Sequence, residues 1–172
     1  MTQPKRISRE AIPVALEKAL RYRLLNEPME AESICLDILG VDPDHHAAQT
    51  TLLLALTDQF ELNYGVDLEG VKAILAKLSD EFEREYYSGI MYERWGKALF
   101  TNETPRKAIP WVHQAMRSYD RAAALSSSDE PDAILWWNAC ARFLARHGLD
   151  SEIPSDVNRD VEDEYGDDVP PR

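Results

Sequence analysis

One short stretch of the chain gathers residue types that bind metal ions. The turn Asp42-Pro43-Asp44-His45-His46 holds two carboxylates and two imidazoles within five residues, and both groups are common metal ligands. Neighbouring side chains on a helix point about 100° apart, so His45 and His46 are poorly placed to share one ion. We therefore expect a solvated turn in which Asp44 caps the following helix, with a metal site as the alternative.

A pair of carboxylates could also act as an acid and base couple. Glu81 and Glu85 lie one helical turn apart, but no histidine at a helical step completes a ligand set, and like charges at this spacing are typical of a solvated face. The sequence has no glycine-rich phosphate loop, paired-cysteine zinc spacing, His-Glu-x-x-His motif or nucleophile elbow. We expect no enzyme and no cofactor, and a helical enzyme or metal protein using the Asp42–His46 turn is the less favoured alternative.

The charge of the chain argues against nucleic acid and membrane as partners. The net charge over 172 residues is −12, whereas both of those partners are bound mainly through lysine and arginine. Between Gly148 and Arg172 nine acids stand against two arginines, so this segment carries −7 and the rest carries −5.

Neither a membrane span nor a secretory signal is predicted. No apolar run reaches about 18 residues, and no basic stretch precedes an apolar one. The two cysteines, Cys35 and Cys140, lie far apart within apolar helical patterns. We expect them to be buried thiols rather than a disulfide, in a reducing and cytoplasmic environment.

Apolar residues recur at three- and four-residue steps along most of the chain, which predicts amphipathic helices and no strand. Capping residues, prolines and glycines divide the pattern into about seven helices. The expected helices run from between Ser8 and Ile12 to near Asn26, from Pro28 to Gly40, from about His45 to Leu62, from Asp67 to about Leu78, from Phe82 to Phe100, from Pro105 to about Leu125, and from Pro131 to before Gly148. Pro110, inside the sixth helix, predicts a kink.

The predicted fold class is based on one helical hairpin, residues 19–43. Ala19 precedes Tyr22 by one turn of the first helix, Ala31 lies early in the second helix, and Pro43 follows it. This spacing resembles the tetratricopeptide repeat, whose period is about 34 residues. The resemblance implies an all-α, right-handed stack of antiparallel helical hairpins and a function in binding other proteins.

The same spacing returns in the fifth and sixth predicted helices. Gly96 and Ala108 fall where the first hairpin has its two alanines, and Ala115 falls where the repeat again has a small residue. Helices that cross at about 8–10 Å leave no room for a large side chain at the crossing. The hairpin between them departs from the pattern, because Leu53 stands where a small residue is expected. The seventh helix has no second helix after it and is predicted to cap the stack.

The resemblance also implies a concave binding surface formed by the first helix of each hairpin. Two leucines stand where the family's clamp for carboxylate tails has lysine and asparagine, so that type of ligand is not expected. Matching the small residues places the following side chains on the surface: Leu16, Leu20, Arg23, Thr50, Thr51, Leu54, Glu93, Arg94, Lys97, Trp137, Asn138 and Ala141.

Part of this predicted surface has a definite chemistry. Arg94 and Lys97 combine with Trp137 and Asn138 into a patch that suits an acidic peptide with an apolar anchor. The remaining tryptophans are expected in the core: Trp95, Trp111 and Trp136.

The chain is expected to form a repeat domain over residues 1–148 and an acidic tail over residues 149–172. The tail has too few apolar residues to fold by itself. Tyr165 followed by Asp167 and Asp168 gives it the character of a groove ligand, so occupancy of the groove and a solubilising role both stay open. We predict a non-catalytic module that binds a peptide or helix of a partner protein. The alternative in the same class is a small acidic chaperone for a secreted or assembly-prone client.

Overall fold

Helices form all the regular structure in the part of the chain that the structure describes. The computed structural model describes residues 3–62, 68–102, 105–127 and 129–150. Within these ranges it contains seven α-helices and no strand, which confirms the all-α prediction. The helices are α1 (Ile12–Leu24), α2 (Pro28–Leu39), α3 (His46–Asp58), α4 (Leu68–Leu75), α5 (Glu81–Asn102), α6 (Pro105–Leu125) and α7 (Asp132–Arg146).

The chain divides into unit 1, Met1–Asp80, and unit 2, Glu81–Arg172. The boundary between the two units, after Asp80, lies within the range 1–148 that we expected to be a single repeat domain. The right-handed stacking of hairpins stays a prediction. The predicted tail lies outside the described residues from position 151 onward. No helix in the described ranges is both long enough and apolar enough to cross a bilayer.

Unit 1 begins with a short 3-10 helix, Arg9–Ala11, which leads directly into α1. Pro13 lies in the first turn of α1, where its missing N–H removes no helical hydrogen bond, and Pro28 opens α2 in the same way. Between them Asn26 takes a left-handed backbone conformation, with φ at 60°. Asparagine tolerates this conformation better than most residues, so the tight connection between α1 and α2 has a local cause.

Small residues allow α1, α2 and α3 to pack closely in unit 1. Ala19, Ala31 and Cys35 are all fully buried. Helix α3 has buried residues around most of its circumference, as its nearly continuous apolar sequence predicts. It ends at Asp58, earlier than expected, and a separate 3-10 turn, Phe60–Leu62, follows it.

Unit 2 is built on the antiparallel hairpin of α5 and α6, with α7 packed against it. At Gly96 an added Cβ would lie 3.1 Å from Val112 Cγ2 and 3.2 Å from Trp111 Cβ, so this crossing requires glycine or a very small displacement. Helix α6 runs through Pro110 as one continuous helix. Helix α7 also contacts α5, because the Phe143 ring packs edge-on against Phe100 with centroids 5.2 Å apart.

Candidate binding surfaces

The predicted concave surface draws six residues from unit 1, and the structure places two of them in the interior. Thr50 and Thr51 are 8% and 4% exposed, and the Thr51 hydroxyl donates to the Ala47 carbonyl at 2.6 Å. Threonine hydroxyls that bond back to their own helix let these side chains pack inside. The assignment of Thr50 and Thr51 to a binding groove stays a prediction.

The other unit 1 residues of that surface have mixed positions. Leu20 is 44% exposed, and Leu54 is half-buried. Leu16 packs beside an apolar cluster. Arg23 donates from Nε to Asp58 Oδ2 at 2.8 Å, and both side chains are about one-fifth exposed. Of the six residues predicted for this surface in unit 1, Leu20 is therefore exposed, and Leu16, Arg23 and Leu54 are half-buried.

In unit 2 the predicted groove residue Glu93 is buried, at 3% exposure. Its Oε2 accepts a hydrogen bond of 2.7 Å from the Tyr119 hydroxyl, and its Oε1 lies 2.5 Å from Lys97 Nζ. A buried carboxylate is stable only when it is paired and hydrogen-bonded, and both of its oxygens are used here. Glu93 therefore lies inside unit 2 with both oxygens bonded, and its assignment to a binding groove stays a prediction.

Two further residues surround this buried carboxylate. Lys97 Nζ lies 5.7 Å from the centre of the Phe143 ring, within the range of a cation–π contact. Cys140 is fully buried, and burial, followed by the nearby Glu93 charge, raises the pKa of its thiol. Burial and then Glu93 likewise raise the pKa of Tyr119. The group links α5, α6 and α7, so its geometry fits a structural role.

The predicted cationic and aromatic patch is only partly open. Arg94, Trp137, Asn138 and Ala141 are all half-buried. Trp137 Nε1 is buried and has no hydrogen-bond partner among the described residues, so this N–H is not presented to a ligand. Trp136, which was expected in the core, is 41% exposed and donates from Nε1 to the Tyr86 hydroxyl at 3.0 Å. The core prediction for Trp136 is wrong.

The turn from Asp42 to His46 has a local structural role. His45, and not Asp44, is the N-cap of α3, and its Nδ1 accepts a hydrogen bond of 3.2 Å from the Ala48 amide. Helix caps satisfy an amide that the helix itself cannot. Within the described ranges, no group of three or more histidine, cysteine or acidic side chains is arranged to hold a metal ion.

An apolar cleft that the sequence did not predict lies in unit 1. It has a volume of about 240 Å³ and runs between the start of α1 and the middle of α2. Two of its lining residues are charged with opposite sign, Lys18 on α1 and Asp37 on α2. The complete lining is Ile7, Ala11, Val14, Ala15, Lys18, Ile34 and Asp37.

The cleft and the predicted concave surface lie on different flanks of α1. At 100° per residue, Val14 and Lys18 point about 160° away from Leu16 and Leu20. Val14 is 58% exposed, although it is a large aliphatic side chain. The cleft therefore offers apolar surface to solvent, bordered by one cation and one anion.

Comparison of this chain with protein-family models, with curated proteins and with solved structures gives no match. The tetratricopeptide resemblance consequently rests on the spacing of small residues alone. The function has to be argued from the surfaces of the two units.

Proposed function

We propose that this protein is a non-catalytic interaction module that binds a helix or short peptide of a partner protein through the cleft of unit 1. The observation that carries the proposal is the open apolar cleft beside the exposed Val14. Exposed apolar concavities with a few polar groups at the rim are typical of binding sites. The partner inserts one aliphatic or aromatic side chain between α1 and α2.

The lining determines what such a partner must carry. Burying one leucine-sized side chain contributes about 1.5–3 kcal/mol, which by itself gives only weak binding. Further contacts along Val14 and Ile34 have to supply the remainder. The charges of Lys18 and Asp37 lie at the rim, where they orient a ligand more than they hold it. We expect micromolar affinity for a segment with an apolar anchor flanked by charges of both signs.

A tetratricopeptide-like stacking of hairpins is part of this proposal. The small residues that support it are buried at helix contacts within each unit: Ala19 and Ala31 in unit 1, Ala108 and Ala115 in unit 2. Repeat proteins of this type present helical surfaces to peptides and helices of other proteins, which agrees with the proposed mode of binding.

The proposal is tested by selecting ligands without knowledge of the natural partner. A random peptide library is selected against the full chain, and the dissociation constants of the enriched peptides are measured by fluorescence anisotropy. Val14→Asp places a charge at the mouth of the cleft and should weaken binding at least about tenfold, since the apolar anchor is lost. Aspartate near a helix N-terminus does not harm the helix, so the fold is retained.

Met29→Asp is the matched control, because Met29 is 54% exposed in the first turn of α2 and does not line the cleft. Binding to this variant should stay within about twofold of the original chain, since substitutions outside the contact surface change affinity little. Peptides that bind equally to both variants would place the site elsewhere. If Arg94→Glu abolishes peptide binding and Val14→Asp does not, the binding site lies in the predicted concave patch and not in the cleft.

A further inference from the structure

Helices α5 and α7 start side by side in unit 2 and leave an aromatic ring open to solvent. Trp136 on α7 donates from Nε1 to the Tyr86 hydroxyl on α5 at 3.0 Å. Further along, Phe143 on α7 packs against Phe100 on α5, so the two helices run parallel. Trp136 is nevertheless 41% exposed. Of the aromatic side chains, tryptophan offers the strongest surface for a cation–π contact.

The hydrogen bond to Tyr86 holds the exposed indole in one orientation. Tyr86 is itself fixed by neighbouring rings, because Phe82 stacks on it with centroids 5.8 Å apart and Tyr87 packs edge-on at 5.3 Å. A side chain that is ordered before binding loses little rotational freedom when a ligand arrives. The Trp136 ring is therefore a preorganised surface.

Two carboxylates border this indole. Asp132 lies four residues before Trp136 on α7, so the two side chains share one face of the helix. Glu130 precedes the helix, and both acids are exposed. Burial raises the pKa of the Tyr86 hydroxyl, and the charges of Asp132 and Glu130 raise it further. Both carboxylates therefore lie close to the hydrogen-bonded pair of Tyr86 and Trp136.

The negative charge beside the indole is not neutralised by the residues that the structure describes. Among these residues, neither Asp132 nor Glu130 takes part in an ion pair. Arg121, which joins α6 to the same part of α5, is already paired with Glu85 at 2.8 Å. An exposed aromatic ring beside uncompensated carboxylates is complementary to a cation.

We propose that Trp136, Asp132 and Glu130 form a binding site for an arginine side chain of a partner protein. The guanidinium plane stacks on the exposed part of the indole, and its N–H groups donate to the two carboxylates. The site belongs to unit 2 and does not rest on the cleft of unit 1. It adds recognition of a basic segment to the proposed recognition of an apolar anchor.

The geometry favours arginine over other cations. A guanidinium is planar and has five N–H donors, so it can stack and serve two carboxylates at once. A lysine ammonium is a compact charge without a plane to stack on the ring. A trimethylated ammonium has no N–H donor and would leave the carboxylates without hydrogen bonds. Only the arginine side chain uses both the ring and the acids.

The test titrates the full chain into short fluorescein-labelled peptides and follows fluorescence anisotropy at low ionic strength. Three peptides are identical except for arginine, lysine or the neutral isostere citrulline at two positions. The arginine peptide should bind about fivefold more tightly than the lysine peptide and at least about tenfold more tightly than the citrulline peptide. In the nuclear magnetic resonance spectrum, the arginine peptide should shift the Trp136 indole N–H signal.

Two variants separate the ring from the carboxylates. Trp136→Leu keeps an apolar side chain and removes the aromatic face, and should weaken binding of the arginine peptide at least about fivefold. The double variant Asp132→Asn and Glu130→Gln removes two charges with little change in shape and should weaken it by at least a similar factor. All three residues are exposed, so circular dichroism should show an unchanged fold.

The matched control for the charges is Glu30→Gln with Asp44→Asn, which makes the same change in net charge at exposed positions of unit 1. Leu135→Ala is the control for the ring, because it removes the exposed apolar side chain next to Trp136. Both should leave the affinity within about twofold, and so should Val14→Asp in the cleft, since none of them touches the site. The two proposals can thus fail separately.

Four results would overturn the proposal. One is equal binding of the arginine and citrulline peptides, and another is lysine binding as tight as arginine binding. A third is an equal loss of affinity in the Glu30 and Asp44 control, because the general negative charge of the chain would then attract the peptide. The fourth is a Trp136 indole signal that does not move when the arginine peptide binds.

Discussion

The hairpins α1/α2 and α5/α6 both pack two helices closely together, but the side chains at the two contacts differ in chemistry. In α1/α2 the contact includes fully buried small residues such as Ala19 and Cys35, and the nearby ion pair of unit 1, between Arg23 on α1 and Asp58 on α3, remains partly exposed. In α5/α6 the contact includes a buried carboxylate, Glu93, whose partner Tyr119 is fully buried. Helices of 22 and 21 residues form the second hairpin, against 13 and 12 in the first.

The apolar contact between α1 and α2 can tolerate more than one arrangement of the two helices, whereas the α5/α6 contact, which contains Glu93, requires one particular arrangement. Apolar packing fixes a register only loosely, since hydrophobic side chains of similar size can replace one another. A buried carboxylate with two required partners tolerates one arrangement, because any other leaves a charge without compensation. We conclude that the α5/α6 contact of unit 2 is the more tightly defined of the two, whereas unit 1 exposes apolar surface at its cleft.

The largest effect should follow from removing the buried carboxylate. Glu93→Ala leaves the Tyr119 hydroxyl without its acceptor and Lys97 without its partner, and should cost about 3–5 kcal/mol of stability. Asp58→Ala removes the partly exposed pair of unit 1 and should cost about 1 kcal/mol. Urea denaturation followed by circular dichroism measures both. Equal losses would remove the distinction between the two units.

A smaller effect is expected at the close crossing of α5 and α6. Gly96→Leu and Ala108→Leu overpack the contact and should each cost about 1–3 kcal/mol or more. Ala124→Leu adds the same side chain at an exposed position near the end of α6 and should cost less. Thermal denaturation of the three variants compares them. Equal tolerance at all three positions would withdraw the main support for the repeat assignment.

The smallest predicted effect concerns His113, which lies on α6. Burial, followed by the nearby Arg117 charge, lowers the pKa of His113 below its ordinary 6.5. As the pH falls through that value, the unfolded chain takes up a proton that the folded chain does not, so the free energy of unfolding decreases. His113→Gln should flatten this acid-side decrease, because it removes the group whose pKa burial lowers. Urea midpoints at about pH 7 and 5.5 test it, and an unchanged slope would contradict it.

The helices could be predicted because their signals are local. Apolar residues at helical steps marked each amphipathic face, and Pro28 and Pro105 marked two helix starts that the structure places at the same residues. His45 was missed as a cap because the neighbouring aspartates are the commoner capping residues. The shorter α3 was missed because the sequence stays apolar beyond Asp58, although the backbone changes there to a 3-10 turn.

The sites were harder to predict because they join residues that are distant in sequence. Glu93 and Tyr119 are 26 positions apart, and a lone glutamate in a helix is ordinarily solvated. Gly89 gave no signal either, although an added Cβ would lie only 2.6 Å from Tyr119 Cδ1. The cleft of unit 1 depends on how the 3-10 helix Arg9–Ala11 meets α1 and α2. Helical periodicity identifies a buried face but not the gaps between two such faces.

The most direct measurement of the difference between the units uses their two buried thiols as reporters. Cys35 in unit 1 and Cys140 in unit 2 are free and fully buried, and burial raises the pKa of Cys35 to about 12. Because the thiolate is the reactive form, each thiol should react only when its surroundings open. Alkylation at increasing urea, with the two sites separated by peptide mass spectrometry, gives a midpoint for each unit. We predict a higher urea midpoint for Cys140 than for Cys35, and a midpoint for Cys140 equal to or below that of Cys35 would contradict the account.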